Sequence, residues 1–335
     1  MSYPPFPPDL PVHDLLVVDL KLLREGDQAQ ADILWKAATT WGFWYLKNHE
    51  GVKCTEPMFE MGRKTLDLPF DEKMKYWQGG EGGSAGYRPA GSRYTDADGS
   101  VDLTEFINVA KDDAIAYPKV LHTSYPPTVN EYIEGTIRPY TQSCLKSCEV
   151  IMNVFNDKLG LPKDTLQDLH RPEKKCQSES RCIKVPPVEK PTKIALGAHT
   201  DFGSLSFLVN QIGGLQVRVM NGDQEEWKYV KPIPGYMICN IGDTLSILSG
   251  GILKSAMHRV LPPPGAQAGY ERWSLVYFCR PADDVFLDPL SDKSTLIADT
   301  LKTSGQEKTA FSPGMTAAQW LVKRQLQYRP DTFKN

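Results

Sequence analysis

No apolar run in the 335-residue chain is long enough to span a bilayer. The opening "MSYPPFPPDL" lacks both the charged start and the apolar stretch of an export signal. The expectation is a soluble, cytoplasmic protein with no membrane partner. An excess of one charge is also missing: 38 Lys and Arg stand against 41 Asp and Glu. Nothing electrostatic therefore points to nucleic acid. Cysteine is scarce and scattered. Its seven copies form an odd set with no C-x-x-C spacing, which argues against a disulfide framework or a thiolate zinc site. Cys144 and Cys148, four apart in a helical stretch, and Cys239 and Cys279, in apolar runs, read as packing residues. No segment repeats. What is present, 41% hydrophobic and 24% charged residues, is the composition of a chain that folds around a core.

Along the chain, "LLVVDL" (15–20) reads as a buried strand and 27–41 as a helix stopped by Gly42. "GFWYLKN" (42–48) alternates like a strand. A helix is expected over 54–69, with Thr55 as N-cap and Pro57 in its first turn. Residues 78–104, rich in Gly, Ser and Asp, read as a long functional loop, with Tyr87, Arg88, Arg93 and Tyr94 as contact residues. A long helical pattern covers 128–160 and ends at Gly160-Leu161-Pro162. From about 180 the texture changes to short β-like runs at 213–219, 227–233, 236–248 and 272–281, the pattern of a barrel or double-sheet jelly roll. An amphipathic helix is expected over 315–329. No Pro/Ser-rich linker divides the two halves, so the expected fold is mainly β with flanking α, as one domain over 1–335. Within it, a helical and strand region covers 12–160, the core 178–285 and a C-terminal segment 286–335.

"ALGAHTDFGSLSFL" (195–208) puts His199 and Asp201 two positions apart in a strand-like run. On a regular strand they share a face and can chelate one ion. Alone, such a pair reads better as a polar strand end. "SAMHRVLPPP" adds His258 on a later run, and "ERWSLVYF" places Arg272 and Ser274, again at i,i+2, on the next. Two imidazoles and one carboxylate are the ligand set of a mononuclear non-haem Fe(II) site with one open face. The free positions accommodate a bidentate cosubstrate together with dioxygen. A guanidinium fork and a hydroxyl suit the distal carboxylate of a dicarboxylate. Asn240 and Asp243 in "CNIGD" read as residues that fix a turn and a strand edge, and Gly250-Gly251 as a close approach to the metal-bearing strand.

The long stretches "HTDFGSLSFLVNQIGGLQV", "WKYVKPIPGYMICNIGDTLSILSGGILKSAMHRV" and "RWSLVYF" resemble the isopenicillin N synthase-like branch of the Fe(II)/2-oxoglutarate-dependent dioxygenases. "TTWGFWYLKNHEGV", "LDLPFDEKMKYW", "GYRPAGS" and "DLTEFINV" extend the resemblance over about residues 12–330. It implies a double-stranded β-helix (jelly-roll) core with an N-terminal helical region. His199, Asp201 and His258 match the iron ligands, and Arg272 and Ser274 the pair that anchors the C5 carboxylate of 2-oxoglutarate. The implied reaction is C–H oxidation of a small organic molecule (hydroxylation, desaturation or cyclisation) by Fe(II), 2-oxoglutarate and dioxygen, in secondary metabolism. The family is often monomeric.

Two departures stand out. Glu50 replaces the usual Gly after His49. "RCIKVPP" keeps Arg181 and Pro186-Pro187 of the family's R-x-N-x-Y-P-P but has Ile183 and Val185 where the polar pair belongs. Cosubstrate binding then rests on Arg272 and Ser274, or Lys184 substitutes. Substrate contacts are expected from Tyr87, Arg88, Ile183, Val185 and Phe278, with Arg88 the candidate partner of an acidic substrate. Two other readings stay open: an iron oxidase of the same family that does not use 2-oxoglutarate, and a non-catalytic metabolite-binding module.

Overall fold

The protein is described by a computed structural model over residues 3–79, 83–95, 100–187, 194–222, 224–304 and 314–327. Twelve strands are described: β1 Val17–Asp19, β2 Phe43–Lys47, β3 Gly86–Arg88, β4 Glu105–Ala110, β5 Glu179–Val185, β6 Leu196–His199, β7 Leu205–Asn210, β8 Leu215–Asn221, β9 Gln224–Tyr229, β10 Met237–Ile241, β11 His258–Val260 and β12 Arg272–Cys279. They form an eight-stranded sheet ordered β1-β2-β10-β7-β12-β5-β4-β3 and a four-stranded sheet ordered β6-β11-β8-β9. Two opposed sheets, mostly antiparallel, with helices against the outside of the larger one, give the expected jelly-roll architecture. The larger sheet draws β1–β4 from the first half of the chain and β5, β7, β10 and β12 from the second. That interleaving explains why no linker separates the helical and β-rich textures.

β12 shows how the sequence produces the sheet. Its run Arg272-Trp273-Ser274-Leu275-Val276-Tyr277-Phe278-Cys279 is central, paired with both β5 and β7. Trp273, Leu275, Tyr277 and Cys279 face the core beneath the helices, while the alternate residues turn toward the smaller sheet. The main helix, Arg138–Lys158, buries Tyr140, Cys144, Cys148, Ile151, Met152 and Phe155 on one face. All seven cysteines are free, and six are buried.

Several local expectations are corrected. The helix expected over 54–69 runs Val52–Leu66. Thr55 lies inside it, bonded through Oγ1 to Gly51 O at 3.2 Å, and Pro57 falls in the second turn. The pattern over 128–160 is broken by a wider π-type turn, Ile133–Ile137, just before Arg138 and Pro139. A proline there withholds an N–H from the regular ladder. The β-like run 236–248 is half helix, Asp243–Leu248. Gly250 packs against Ile297 and Leu301 of a later helix, not against a metal-bearing strand. The loop expected at 78–104 contains β3, whose Tyr87 and Arg88 pair with Ile107 and Phe106 of β4. Residues 80–82 and 96–99 of that loop, and 328–329 of the C-terminal helix, lie outside the described residues.

Candidate active site

Register brings the first two residues together. In the smaller sheet His258 of β11 pairs directly with His199 of β6. Directly opposed residues project to one face, and the two imidazole centroids lie 4.3 Å apart. Each ring is held from behind by its own strand. His199 Nδ1 lies 2.8 Å from Gly197 O and His258 Nδ1 3.1 Å from Ala256 O. A ring nitrogen facing a carbonyl must carry the proton, so both Nε2 lone pairs are left free as metal donors. Phe43 of β2 packs edge-on against His258, with centroids 5.5 Å apart.

Asp201 does not sit on a continuing strand, because β6 ends at His199. A tight turn carries Asp201 across to the larger sheet, and Asp243 N and Gly242 fix that turn. Asp243 N donates to Asp201 O at 2.7 Å. A Cβ at Gly242 would lie 2.2 Å from Gly203 O and 3.0 Å from Asp201 O, so only glycine permits this approach. The carboxylate is locked from the other side. Its Oδ2 accepts from Asn240 Nδ2 (2.7 Å) and Ser206 Oγ (2.5 Å), residues paired between β10 and β7. Oδ1 is left 3.9 Å from His199 Nε2 and 3.8 Å from His258 Nε2. Two donor atoms from the smaller sheet and one from the turn that leaves it thus converge, all within 4.8 Å of one another. This set and spacing fit a single metal ion with an open face.

Electrostatics favour the ligand forms. Burial, and then the neighbouring His258, hold His199 down at about 3, so its ring is neutral. Burial alone would raise the Asp201 carboxyl, but the two imidazoles and the Ser206 and Asn240 hydrogen bonds outweigh it and hold it below its ordinary value.

Beside the triad, Arg272 and Ser274 share the inward face of β12. Arg272 Nε donates to Gly213 O at 2.9 Å and its Nη1 to Ser274 Oγ. Ser274 Oγ in turn donates to Asn210 Oδ1 at 2.7 Å. Arg272 is 2% exposed, and burial lowers it only to about 10, so it is charged at neutral pH. Among the described residues its side-chain partners are Gly213 O and Ser274 Oγ, and no carboxylate pairs with it. A buried guanidinium without a counter-ion is costly, and a ligand carboxylate supplies what is missing.

A cavity lies between the sheets and opens to solvent. His199, His258, Leu196, Leu215 and Val260 form one wall; Arg181, Ile183, Ser274, Val276 and Phe278 form the other. Of the expected substrate contacts, Ile183 and Phe278 line it. The other three do not. Tyr87 is buried and donates to Glu105 Oε1 at 2.6 Å. Arg88 is buried in an ion pair with Asp102 and a bond to Thr104. Val185 packs with Ala195 and Val260. Lys184 cannot replace the missing polar pair: it is on the opposite face of β5, 3.0 Å from both Asp67 and Glu271.

Sequence reading missed Asn240 and Ser206 as holders of Asp201, and also missed Arg280 and Gln325 in the lining. Arg280 was within reach, since it continues the i,i+2 series of Arg272, Ser274, Val276 and Phe278. Gln325 arrives on the C-terminal helix, Ala317–Gln327. There Arg324 anchors the helix to the site through Asp243 (3.3 Å) and Thr200 Oγ1 (3.1 Å).

Comparison with known proteins agrees with this geometry. The model of the 2OG-Fe(II) oxygenase superfamily matches residues 176–281, and that of the non-haem dioxygenase in morphine synthesis N-terminal region matches 14–128. Jasmonate-induced oxygenase 4 of Arabidopsis thaliana is 31% identical over 267 residues, 77% of this chain and 70% of that protein. Homoarginine-6-hydroxylase 2-ODD-233 of Oryza sativa subsp. japonica is 30% identical, over 81% of this chain and 84% of that protein. Among solved structures, JOX2 in complex with 2OG, Fe and JA superposes with a TM-score of 0.65 at 25% identity, covering 98% of this chain and 94% of that one. Sequence, fold and donor set therefore lead to one conclusion: the chain belongs to the 2OG-Fe(II) oxygenase superfamily, as a 2-oxoglutarate-dependent dioxygenase.

Proposed function

We propose that His199 Nε2, His258 Nε2 and Asp201 Oδ1 hold Fe(II), and that Arg272 with Ser274 takes the distal carboxylate of 2-oxoglutarate. The observation that carries this reading is the convergence of three donor atoms beside a buried, uncountered guanidinium. With 2-oxoglutarate and dioxygen, bound Fe(II) supplies the oxidising power that breaks an unactivated C–H bond.

The chain's own work is positional. Gly197 O and Ala256 O keep both imidazoles in the Nε2-donating tautomer. Asn240 and Ser206 keep one carboxylate oxygen occupied, so Asp201 offers the metal the other. Arg272 stands away from the ions of other side chains, available to the cosubstrate. Ile183, Phe278, Leu208 and Phe202 provide an apolar surround that excludes water and orients the target C–H bond. In place of the family's Asn and Tyr, Ile183 leaves an apolar gap, so Arg272, Ser274 and the metal carry the cosubstrate. The match to the 2OG-Fe(II) oxygenase superfamily supports this reading over an oxidase that dispenses with 2-oxoglutarate. The near-neutral net charge of −3 supports a small-molecule substrate.

The test is dioxygen-dependent succinate formation from 2-oxoglutarate by the Fe(II)-loaded protein over a substrate library. Turnover is expected in the native chain and loss of at least a hundredfold in His199→Ala. Equal succinate from both proteins would remove the triad from the reaction.

A further inference from the structure

The cavity carries a second cationic corner that the metal centre does not use. β5 and β12 pair Arg181 with Val276, four residues along the strand from Arg272, about 13 Å at the usual rise. The Arg181 guanidinium lies between two rings, 4.0 Å from the Phe106 centroid and 4.7 Å from that of Phe278. Its Nε donates to Asn108 Oδ1 and its Nη2 to Glu179 Oε1, both at 2.7 Å. Nη1 is left without an acceptor among the described residues. Arg280 reaches the same Glu179 oxygen at 3.2 Å, and its buried Nε also has no acceptor. Both arginines line the cavity, and both are 8% exposed against 1% for Glu179. Two buried guanidiniums therefore share one carboxylate.

The cosubstrate does not settle this imbalance. Two charges on Fe(II) and one on Arg272 are matched by Asp201 and the two carboxylates of 2-oxoglutarate. Of Arg181, Arg280 and Glu179, one positive charge is left over, at the Arg181 corner. A buried charge in excess is costly until an anion meets it, and a guanidinium edge held flat by two rings presents a fixed fork to a carboxylate.

We propose that the substrate is an organic acid whose carboxylate docks on Arg181, with Arg280 in support and the carbon skeleton along Phe278 and Ile183 toward the metal. This rests on the dioxygenase reading above and names its substrate class. It moves the acid-binding role expected of Arg88 to Arg181.

The test uses the Fe(II)-loaded protein with 2-oxoglutarate, without oxygen. The probes are alkanoic and arylalkanoic acids of about six to fourteen carbons, each paired with its primary amide. Binding is read from the change each probe causes in the metal-to-2-oxoglutarate charge-transfer band. Carboxylates should bind at least tenfold tighter than their amides. Arg181→Gln should erase that preference, Arg181→Lys should retain part of it, and both should leave 2-oxoglutarate affinity within about twofold. The retained 2-oxoglutarate band reports that the variants are folded. No carboxylate binding, equal binding of acids and amides, or a preference that survives in Arg181→Gln would overturn the proposal. So would a matching fall in 2-oxoglutarate affinity, which would assign Arg181 to the cosubstrate. Absence of the band in the native protein would instead defeat the dioxygenase reading itself.

Discussion

Asp201 divides its two oxygens between two tasks, and the division depends on neighbours from another sheet. Oδ2 is occupied by Asn240 and Ser206, which aims Oδ1 at the histidines. Loss of such a supporting hydrogen bond costs metal affinity about 10–100-fold in comparable sites. Asn240→Ala should therefore weaken Fe(II) binding by about that factor while maximal turnover recovers at saturating metal. A metal titration against activity separates the two effects. Unchanged metal affinity in both Asn240→Ala and Ser206→Ala would show that the carboxylate is aimed by the backbone turn alone. At this scale the ligands were legible in the sequence, because His199, Asp201 and His258 are rare residue types in apolar runs. Asn240 was visible, but not its partner: nothing in "CNIGD" says that β10 lies beside β7.

The elements set what can reach the cavity, and here register decided what sequence could show. Alternation along β12 made Arg272, Ser274 and Phe278 readable as one face. The loop expected at 78–104 misled, because its Gly and Ser content hid the three-residue β3, which carries Tyr87 into a hydrogen bond with Glu105 and Arg88 into an ion pair with Asp102 at the sheet edge. Arg181 was read only as a motif match. Its importance comes from cross-strand neighbours, Asn108 on β4 and Val276 on β12, which no local pattern encodes. The turn before β8 also bears on the site. Gly214 has φ +119, and a Cβ there would lie 2.5 Å from Leu261 O and 3.1 Å from Arg272 Nε. Gly214→Ala should thus lower thermal stability and raise the KM for 2-oxoglutarate several-fold, because the strain falls on the backbone that positions Arg272. Steady-state kinetics with 2-oxoglutarate varied, alongside a melting curve, would check both. A lower Tm with an unchanged KM would place the strain on Leu261 instead.

Across the whole molecule, buried neutral histidines couple the fold to pH. Burial holds His49 and His170 at about 4 and His199 at about 3. Between those values and the ordinary imidazole value near 6.5, the unfolded chain binds protons that the folded chain refuses. Stability therefore rises with pH through that window and is lost as pH falls through it. The slope is at most about 1.4 kcal/mol per pH unit for each histidine. Calorimetry of the metal-free protein should show Tm falling steadily from pH 6.5 to 4.5, with no contribution from these three groups above about pH 7.5. A flat profile across the acid range would mean that they are solvated. The two-sheet architecture and its N-terminal additions were legible as a whole because long stretches carry the pattern. Less readable was the return of the last helix, where Arg324 and Gln325 meet the site through contacts distant in sequence.

The proposed function puts Fe(II) on the triad and 2-oxoglutarate on Arg272 within one cavity. Anaerobic titration of the Fe(II)-loaded protein with 2-oxoglutarate tests it most directly. The expected result is a visible charge-transfer band that saturates with 2-oxoglutarate, is absent in His199→Ala and needs at least tenfold more cosubstrate in Arg272→Gln. A native protein that binds Fe(II) yet develops no such band, or a band indifferent to Arg272, would contradict it.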